Sequence, residues 1–231
     1  MAVPSSDALS PSSVLRCLAE FLRLIGFIGA TCRGEYRPAP HSVKMRILKK
    51  HIVRWVDSSV CRSMLGPDVS LPLWKPVFIE TGTLFGDTVQ AMAGMCASVI
   101  SVELDPVLHA RSRQRLRRLP NVHLYLGDVI AELPKILSSL AEPAVFWLDA
   151  HYSGGITGRG SIDDPILESL RQIRSHRIKN HLIFIDDART FDGIQQRPDL
   201  LDIFAALKMI NPEYRMVIQN DMIVATPKSG F

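Results

Sequence analysis

The sequence predicts an α/β fold with a doubly wound, mostly parallel seven-stranded sheet, a C-terminal antiparallel hairpin and an N-terminal helical extension. Three observations lead to this prediction. Short apolar runs alternate with helical patterns from residue 77 onward. These runs are apolar at nearly every position, which is typical of parallel strands buried on both faces. Near the C-terminus the pattern changes to two short strands around a tight turn.

The predicted elements follow one another with short connections. The strands of the parallel part are Val77–Glu80, Val99–Glu103, Val122–Leu126, Val145–Asp149 and Leu182–Asp186. The helices between them are Gly86–Met95, Pro106–Arg118, Val129–Leu140 and Asp164–His176. The last elements are a helix, Leu200–Ile210, and the hairpin strands Arg215–Ile218 and Met222–Ala225. Because crossovers between parallel strands are right-handed, few sheet arrangements are compatible with this order.

Residues 1–71 form the predicted N-terminal extension, and residues 72–231 form the main domain. The first 12 residues are rich in Ser and Pro and are expected to be disordered. Apolar residues recur at helical spacing over Val14–Ile28, and this helix offers a homodimer interface. A second helix beginning at Ser42 has the apolar face Val43, Ile47, Leu48, Ile52 and Trp55. Its basic residues are assigned to a solvated surface, with an anion-binding or nucleic-acid patch as the alternative: Lys44, Arg46, Lys49, Lys50 and Arg54.

Composition indicates an ordinary globular protein in a reducing, cytoplasmic environment. The 231 residues are 22% charged and carry a net charge of +4, which permits an anionic partner without requiring one. The four cysteines show no metal-ligand spacing, so reduced thiols are expected. The apolar stretch from Val14 to Ala30 contains three charged residues, which argues against a membrane span and leaves an interfacial helix as the alternative.

A glycine turn after the first strand predicts the cofactor site. Gly82 and Gly86 allow the backbone to turn sharply and approach a ligand, and Thr81 and Thr83 flank the first glycine. Ligands of open α/β sheets bind at the carboxyl ends of the strands. Glu80 and Asp87 would repel a pyrophosphate at this point, and Leu84 replaces the second glycine of the dinucleotide fingerprint. The acids favour a ligand with positive charge.

Two further acids end the next two strands. Glu103, in Val102-Glu103-Leu104-Asp105-Pro106, is placed to accept ribose hydroxyls, and Asp128 is placed to bind an adenine amino group. Together with Glu80-x-Gly82-x-x-x-Gly86, these motifs resemble the first three cofactor motifs of class I S-adenosylmethionine-dependent methyltransferases, which have a Rossmann-like fold. The resemblance covers roughly residues 75–226. It implies that S-adenosylmethionine is bound by Glu80, Thr81, Gly82, Thr83, Gly86, Glu103 and Asp128.

Three aspartates at the ends of the fourth and fifth strands predict the chemistry. Asp149 follows one strand, and Asp186 and Asp187 follow the next. Neighbouring strands lie about 4.8 Å apart, so these carboxylates can converge on a hard cation such as Mg²⁺. The arrangement resembles metal-dependent O-methyltransferases that act on catechols or sugars, and the resemblance implies that these aspartates bind the metal. The alternative is helix capping and hydrogen bonding to loop amides.

The segment after Asp149 contains the remaining candidates. His151 has a suitable ordinary pKa for a general base, and its alternative is a loop histidine bonded to its neighbours. The glycine-rich stretch Gly154–Gly160 predicts a lid over the substrate, with an anion-binding loop as the alternative. Arg189 is expected either to bind an acidic substrate group or to neutralise Asp186 and Asp187.

These observations predict methyl transfer from S-adenosylmethionine to an oxygen of a small molecule or sugar, with Mg²⁺ as a candidate cofactor and Asp149 and His151 as catalytic residues. The alternatives are a nicotinamide-dependent oxidoreductase and a non-catalytic cofactor-binding module. Nucleic acid is disfavoured as a partner, because the arginine run between Arg111 and Arg118 spans more than one helix face and is expected to be solvated.

Overall fold

The computed structural model describes residues 25–31, 36–58, 74–149, 164–194 and 197–228. The chain divides into two compact units, Met1–Arg37 and Pro38–Phe231. In the first unit, residues 25–31 are helical, and the Phe27 and Tyr36 rings meet edge-on with centroids 4.8 Å apart. The rest of the predicted first helix, residues 14–24, lies outside the described residues. The predicted boundary at residues 71–72 stays a prediction, because residues 59–73 are likewise outside them.

The second unit contains every strand and the longer helices of the described chain. The strands are β1 (Val77–Thr81), β2 (Ser98–Glu103), β3 (Val122–Leu126), β4 (Ala144–Leu148), β5 (Leu182–Ile185), β6 (Arg215–Gln219) and β7 (Met222–Thr226). The helices are α1 (His41–Val56), α2 (Asp87–Ala93), α3 (Pro106–Leu116), α4 (Val129–Ser139), α5 (Ile166–Ser175) and α6 (Leu200–Ile210). A short 3₁₀ helix, Ala188–Thr190, follows β5.

The strands form one seven-stranded sheet in the order β3-β2-β1-β4-β5-β7-β6 within the described residues. Strands β1 to β5 are parallel, whereas β7 is antiparallel to both β5 and β6. In the hairpin Gln219 pairs with Met222, and Asn220 and Asp221 have φ values of 50° and 67°. These positive values match the two-residue turns that suit twisted hairpins. The predicted fold class and the C-terminal hairpin are confirmed.

The central strands of the sheet are buried on both faces, as their apolar sequences predicted, whereas the edge strands β3 and β6 are partly exposed. Every residue of β4 and β5 is buried. On one face, Leu48, Ile52 and Trp55 of α1 join a core cluster that contains Trp147 and Phe184. Burying side chains of this size stabilises the fold by about 1.5–3 kcal/mol each. The helix that begins near Ser42 is therefore part of the core of the second unit.

One residue of α1 is buried although the sequence predicted it to be exposed. Lys44, assigned to the solvated surface, is only 6% exposed. Arg46, Lys50 and Arg54 are exposed as predicted. The reason is geometric, because Lys44 lies four residues before Leu48 and therefore shares the buried stripe of the helix.

Within the described residues, no helix is both long enough and apolar enough to cross a membrane. The thiol of Cys96 is free and buried. The other three cysteines, Cys17, Cys32 and Cys61, fall outside the described part of the chain.

Candidate active site

The glycine turn between β1 and α2 has the left-handed backbone that a close-fitting ligand loop requires. Gly82 and Gly86 have φ values of 90° and 77°, and Leu84 between them has a φ of 48°. A side chain in this region costs about 1–2 kcal/mol. The Leu84 N–H donates to Glu103 Oε2 at 2.7 Å, and the Leu84 carbonyl accepts from Ser112 Oγ at 2.7 Å. These bonds hold Leu84 in the conformation that glycine adopts more easily.

The second glycine of the turn lies close to α3, and its positive φ favours glycine at this position. A Cβ atom on Gly86 would lie 2.8 Å from Leu116 Cδ1 of α3. Beside it, Arg115 of α3 donates to the Phe85 carbonyl at 2.6 Å and pairs with Asp87 at 2.7 Å. The turn is thus pressed against α3. Asp87 is already paired with a cation, so it has less influence on a bound anion than the sequence alone suggested.

Glu80 is buried directly beneath the turn in a network of hydroxyl groups. Its Oε2 accepts from Ser101 Oγ at 2.6 Å, and Ser101 Oγ lies 2.6 Å from Thr83 Oγ1. Thr88 also bonds to the Glu80 carboxyl, and His41 Nε2 lies 3.1 Å from Thr88 Oγ1. Burial raises the pKa of Glu80 to about 8. Glu80 is consequently a protonated acid near neutral pH that a nearby positive charge would ionise.

The acids after β2 and β3 have different surroundings. Glu103 is buried, and it accepts from Asp105 N at 2.9 Å in addition to Leu84 N. It therefore fixes the turn relative to the end of β2. Asp128 is the N-cap of α4 and accepts from Ile130 N at 2.9 Å, a capping role that was not predicted for it from the sequence. Both residues lie at the carboxyl edge of the sheet, because Glu103 is the last residue of β2 and Asp128 follows the end of β3 by two residues.

Asp149 is held against the end of β1. Its backbone N–H donates to the carbonyl and to Oγ1 of Thr81, at 3.2 and 3.1 Å. A small cleft opens here between the ends of β1, β4 and β5 and the start of α5, and its polar lining includes Asp149, Asp164 and Asp186. The carboxyl of Asp149 raises the pKa of both Glu80 and Asp186. The structure therefore brings the predicted cofactor acid and the predicted chemistry acids within electrostatic range.

The aspartates after β5 are paired with basic side chains. The Lys44 ammonium contacts Asp186 Oδ1 and lies 3.4 Å from Asp187 Oδ1 and 3.9 Å from Asp221 Oδ2. Arg189 binds Asp187 at 2.7 Å and also contacts Asp221, which is fully buried. The contacts of Arg189 agree with its predicted role of neutralising Asp187. Burial, reinforced by Asp149, raises the pKa of Asp186 above its ordinary value although Lys44 opposes the change.

This arrangement does not fit a divalent cation as it stands. A hard ion such as Mg²⁺ requires several oxygen ligands and no competing positive charge among them. The Oδ1 atoms of Asp186 and Asp187 already contact ammonium or guanidinium groups, and Asp186 Oδ1 also accepts from Asp187 N at 2.8 Å. The described residues contain no group of three or more acidic, histidine or cysteine side chains with metal-binding geometry.

Two of the predicted features lie outside the described residues. The described chain stops at Asp149 and resumes at Asp164. His151 and the glycine-rich stretch Gly154–Gly160 fall in this gap, so the predicted base and the predicted lid stay predictions.

Four residues of the site were not identified from the sequence. Ser101 lies at an apparently ordinary strand position, and His41 starts a helix far from the glycine turn in sequence. Asp221 was assigned only to a turn. Lys44 gives a signal that can be found in the sequence, because a lysine on the apolar stripe of a helix requires a buried partner.

Comparisons with known proteins support the fold. No protein-family model matches the chain. A probable ribosomal RNA small subunit methyltransferase A from Methanosarcina barkeri is 31% identical over 90 residues, covering 37% of this chain. The match spans only 29% of that relative's length. The crystal structure of the O-methyltransferase from Bacillus cereus in complex with SAH aligns with 90% of this chain and 91% of its own, with a TM-score of 0.56 and 14% identity.

A second solved structure, the Methanococcus jannaschii fibrillarin pre-rRNA processing protein, covers 68% of each chain with a TM-score of 0.45 and 17% identity. The alignment with the Bacillus cereus protein is the stronger one, and at its level of identity it concerns the fold alone. The chain has the class I methyltransferase fold, in agreement with the strand order β3-β2-β1-β4-β5-β7-β6.

Proposed function

We propose that this chain is an S-adenosylmethionine-dependent methyltransferase that methylates an oxygen of a small molecule or a sugar. The observation that carries the proposal is the Glu80 carboxyl, buried beneath a left-handed glycine turn at the end of the first parallel strand. Its hydrogen-bond partners among the described residues are hydroxyl groups rather than cations. A buried acid of this kind is stabilised in its charged form by a positively charged ligand.

The residues around the turn fit S-adenosylmethionine. When bound, this cofactor supplies an electrophilic methyl group on a positively charged sulfur. Glu80 would ionise and balance the positive charge of the methionine part. Glu103, whose oxygens each accept one backbone N–H, retains lone pairs for ribose hydroxyls, and Asp128 lies at the next strand end for the adenine amino group.

A dinucleotide fits the same turn less well. Its pyrophosphate would lie at the start of α2, where a helix N-terminus favours negative charge. Glu80 is buried immediately below this point and is neutral near pH 7, so a pyrophosphate gains no charge interaction from it, whereas a positively charged ligand gains by ionising it. Asp87 adds less repulsion than the sequence suggested, because Arg115 pairs with it. Glu80 is therefore the residue that separates the two cofactor classes.

Asp149 is the described residue best placed to act on the acceptor. It follows β4, its backbone is fixed to Thr81, and it lines the cleft at the ends of β1, β4 and β5. An acceptor hydroxyl held there would lie next to the methyl donor, and proximity of this kind supplies a large part of a transfer rate. Asp149 would orient the hydroxyl, and His151 would accept its proton.

Calorimetric titration with S-adenosylhomocysteine and with NAD⁺ tests the cofactor assignment. We expect S-adenosylhomocysteine to bind with a Kd on the order of 10 μM and NAD⁺ to bind at least a hundredfold more weakly. Preference for NAD⁺ would overturn the proposal in favour of an oxidoreductase.

Two substitutions test the catalytic assignment, with Asp57→Asn at the exposed end of α1 as the matched control. Asp149→Asn and His151→Asn should lose methyl transfer by about a hundredfold or more. His151→Asn should bind S-adenosylhomocysteine as the wild type does, whereas Asp149→Asn should bind it somewhat more tightly near pH 7, because the Asp149 carboxyl no longer raises the pKa of Glu80. The assay is mass spectrometry of catechol and sugar acceptors incubated with S-adenosylmethionine. If all three variants methylate an acceptor equally well, Asp149 and His151 are not catalytic.

The finer points of the assignment concern acceptor and assembly. Arg115 supports the glycine turn, so at least part of the α3 arginine run has a structural role, which favours a small acceptor over nucleic acid. The homodimer predicted through the N-terminal helices stays a proposal, and it would use Ile25 and Ile28, which are exposed on the helical segment 25–31. Light scattering of wild type and an Ile25→Glu/Ile28→Glu variant tests it, and equal masses would refute it.

A further inference from the structure

Lys44 occupies a position that is unusual for a lysine in a helix of this kind. It belongs to the first turn of α1 and lies on the same stripe as Leu48, Ile52 and Trp55. Those three side chains are 0–2% exposed and fix the helix against the sheet. The lysine side chain is therefore directed, by a well-packed helix, toward the carboxyl end of β5.

The partners of Lys44 come from segments that are distant in sequence. Asp186 and Asp187 follow β5, and Asp221 lies in the hairpin between β6 and β7. The ammonium contacts the first of these and lies within 4 Å of the other two. Removing a charged side chain from water costs free energy unless the charge is paired. The carboxylates around Lys44 therefore offset the cost of burying its ammonium group.

Lys44 stands where the sequence led us to expect a metal ion. With Arg189, it supplies two positive charges to three carboxylates, which is the charge that one divalent ion would supply. We propose that Lys44 is the built-in cation of the acceptor site, so that the methyl transfer proposed above requires no divalent metal. The inference rests on the proposed function for the role of the site, but the pairing itself does not depend on it.

The proposal gives Lys44 a positioning role. It neutralises Asp186 and Asp187 and holds them at the edge of the cleft that Asp149 and Asp186 line. An added cation would meet the Lys44 ammonium at close range, where like charges repel strongly even at the effective dielectric constant of a protein surface. Removing the ammonium should leave an acidic site that accepts a divalent ion.

Electron paramagnetic resonance of Mn²⁺ titrated into the cofactor-free protein tests this directly. Lys44→Met keeps the length of the side chain and removes its charge, and Lys50→Met is the matched control on the exposed side of the same helix. We expect wild type and Lys50→Met to bind Mn²⁺ with a Kd above about 1 mM, and Lys44→Met to bind it at least tenfold more tightly. The melting temperature of Lys44→Met should recover with Mn²⁺ or Mg²⁺, whereas the other two should not change.

Tight Mn²⁺ binding by the wild type, unchanged in Lys44→Met, would overturn the proposal, as would a Lys44→Met variant that gains no Mn²⁺ affinity. If Lys44→Met does not fold, Lys44→Gln replaces it in the titration, because glutamine can still donate a hydrogen bond to Asp186. The same gain in Mn²⁺ affinity is required of this variant. Once an acceptor is identified, activity of the wild type in chelator should be full, and that of Lys44→Gln should depend on Mg²⁺. S-adenosylhomocysteine binding is measured separately, so failure of the cofactor assignment and failure of the Lys44 assignment are distinguishable.

Discussion

Replacing Glu80 by Gln tests the role of the buried carboxyl, because Gln keeps the shape of the side chain and removes its ionisation. In the folded protein the pKa of Glu80 is about 8, against an ordinary value of 4.5, because burial disfavours the charged form. The folded and ordinary pKa values differ by about 3.5, and a pKa difference of 1 corresponds to about 1.4 kcal/mol. Ionising Glu80 in the free protein therefore costs at most about 5 kcal/mol.

The sign of the effect on stability follows from the raised pKa. The folded protein holds the proton of Glu80 to higher pH than the unfolded chain does. The stability that this proton contributes is complete below about pH 4.5 and is lost as the pH rises through about 8. The Glu80→Gln variant should therefore gain on the wild type over this range, by up to about 5 kcal/mol in the free energy of unfolding. Urea unfolding at about pH 5 and about pH 9 measures the difference.

The Glu80→Gln substitution should weaken ligand binding, although it stabilises the free protein. S-adenosylhomocysteine lacks the positively charged sulfur but retains the α-ammonium group, which would ionise Glu80, so the wild type should release a proton on binding it near pH 7 and bind more tightly as the pH rises toward about 8. The affinity should increase by up to about tenfold per pH unit. Glu80→Gln should bind about 10- to 100-fold more weakly at about pH 8 and show a flat pH profile, because a hydrogen bond to a charged group is worth about 1.5–3 kcal/mol.

Calorimetry in two buffers of different ionisation enthalpy counts the released protons. Glu213→Gln is the control, since Glu213 is an exposed acid in the turn before β6. A wild type whose Kd does not vary with pH and which releases no proton would refute the proposed role of Glu80. So would a Glu80→Gln variant that keeps the wild-type pH profile.

Three further predictions concern the turn and the core. Gly86→Ala should destabilise the protein by about 1–3 kcal/mol and weaken S-adenosylhomocysteine binding, because its Cβ would lie 2.8 Å from Leu116 at a φ of 77°; urea unfolding and calorimetry check it, with Gly94→Ala as the open-space control. Glu103→Ala should lower the free energy of unfolding by about 2–3 kcal/mol, because it leaves the Leu84 N–H without its acceptor. Urea unfolding that shows unchanged stability would contradict this. Burial lowers the pKa of His181 to about 3. The free energy of unfolding should therefore fall by about 1.4 kcal/mol per pH unit as the pH drops from about 6.5 toward 3. In urea unfolding at a series of pH values, His181→Gln should abolish this part of the acid sensitivity.

The pH dependence of His181 follows from its complete burial. Its Nδ1 accepts from Ala144 N at 3.1 Å, so the ring is held in its neutral form. The folded pKa lies below the unfolded value, and the folded protein therefore binds fewer protons than the unfolded chain in acid. Its stabilising contribution is full above about pH 6.5. This is the reverse of Glu80, so the two substitutions can be distinguished by the direction of their pH profiles.

The sequence by itself determined the fold class, the order of the strands along the chain and the position of the glycine turn, whereas the order of the strands within the sheet came from the structure. The first three are set by local signals: continuous apolar runs, helical periodicity, and glycines where φ must be positive. The strands were predicted to within a residue or two at each end, and Val122–Leu126 was predicted with its observed bounds. The acids at the strand ends could be placed because parallel strands bring their carboxyl ends to one edge of a sheet.

Only the tertiary structure decided how those acids are charged. Lys44 reaches Asp186 across 142 positions of the chain, and Ser101 reaches Glu80 across 21. No local pattern records these pairings, because they depend on which helix packs over which strand and on how deeply each side chain is buried. The cation that contacts Asp186 in the structure is the Lys44 ammonium, and burial, a property of the whole fold, raises the pKa of Glu80 to about 8.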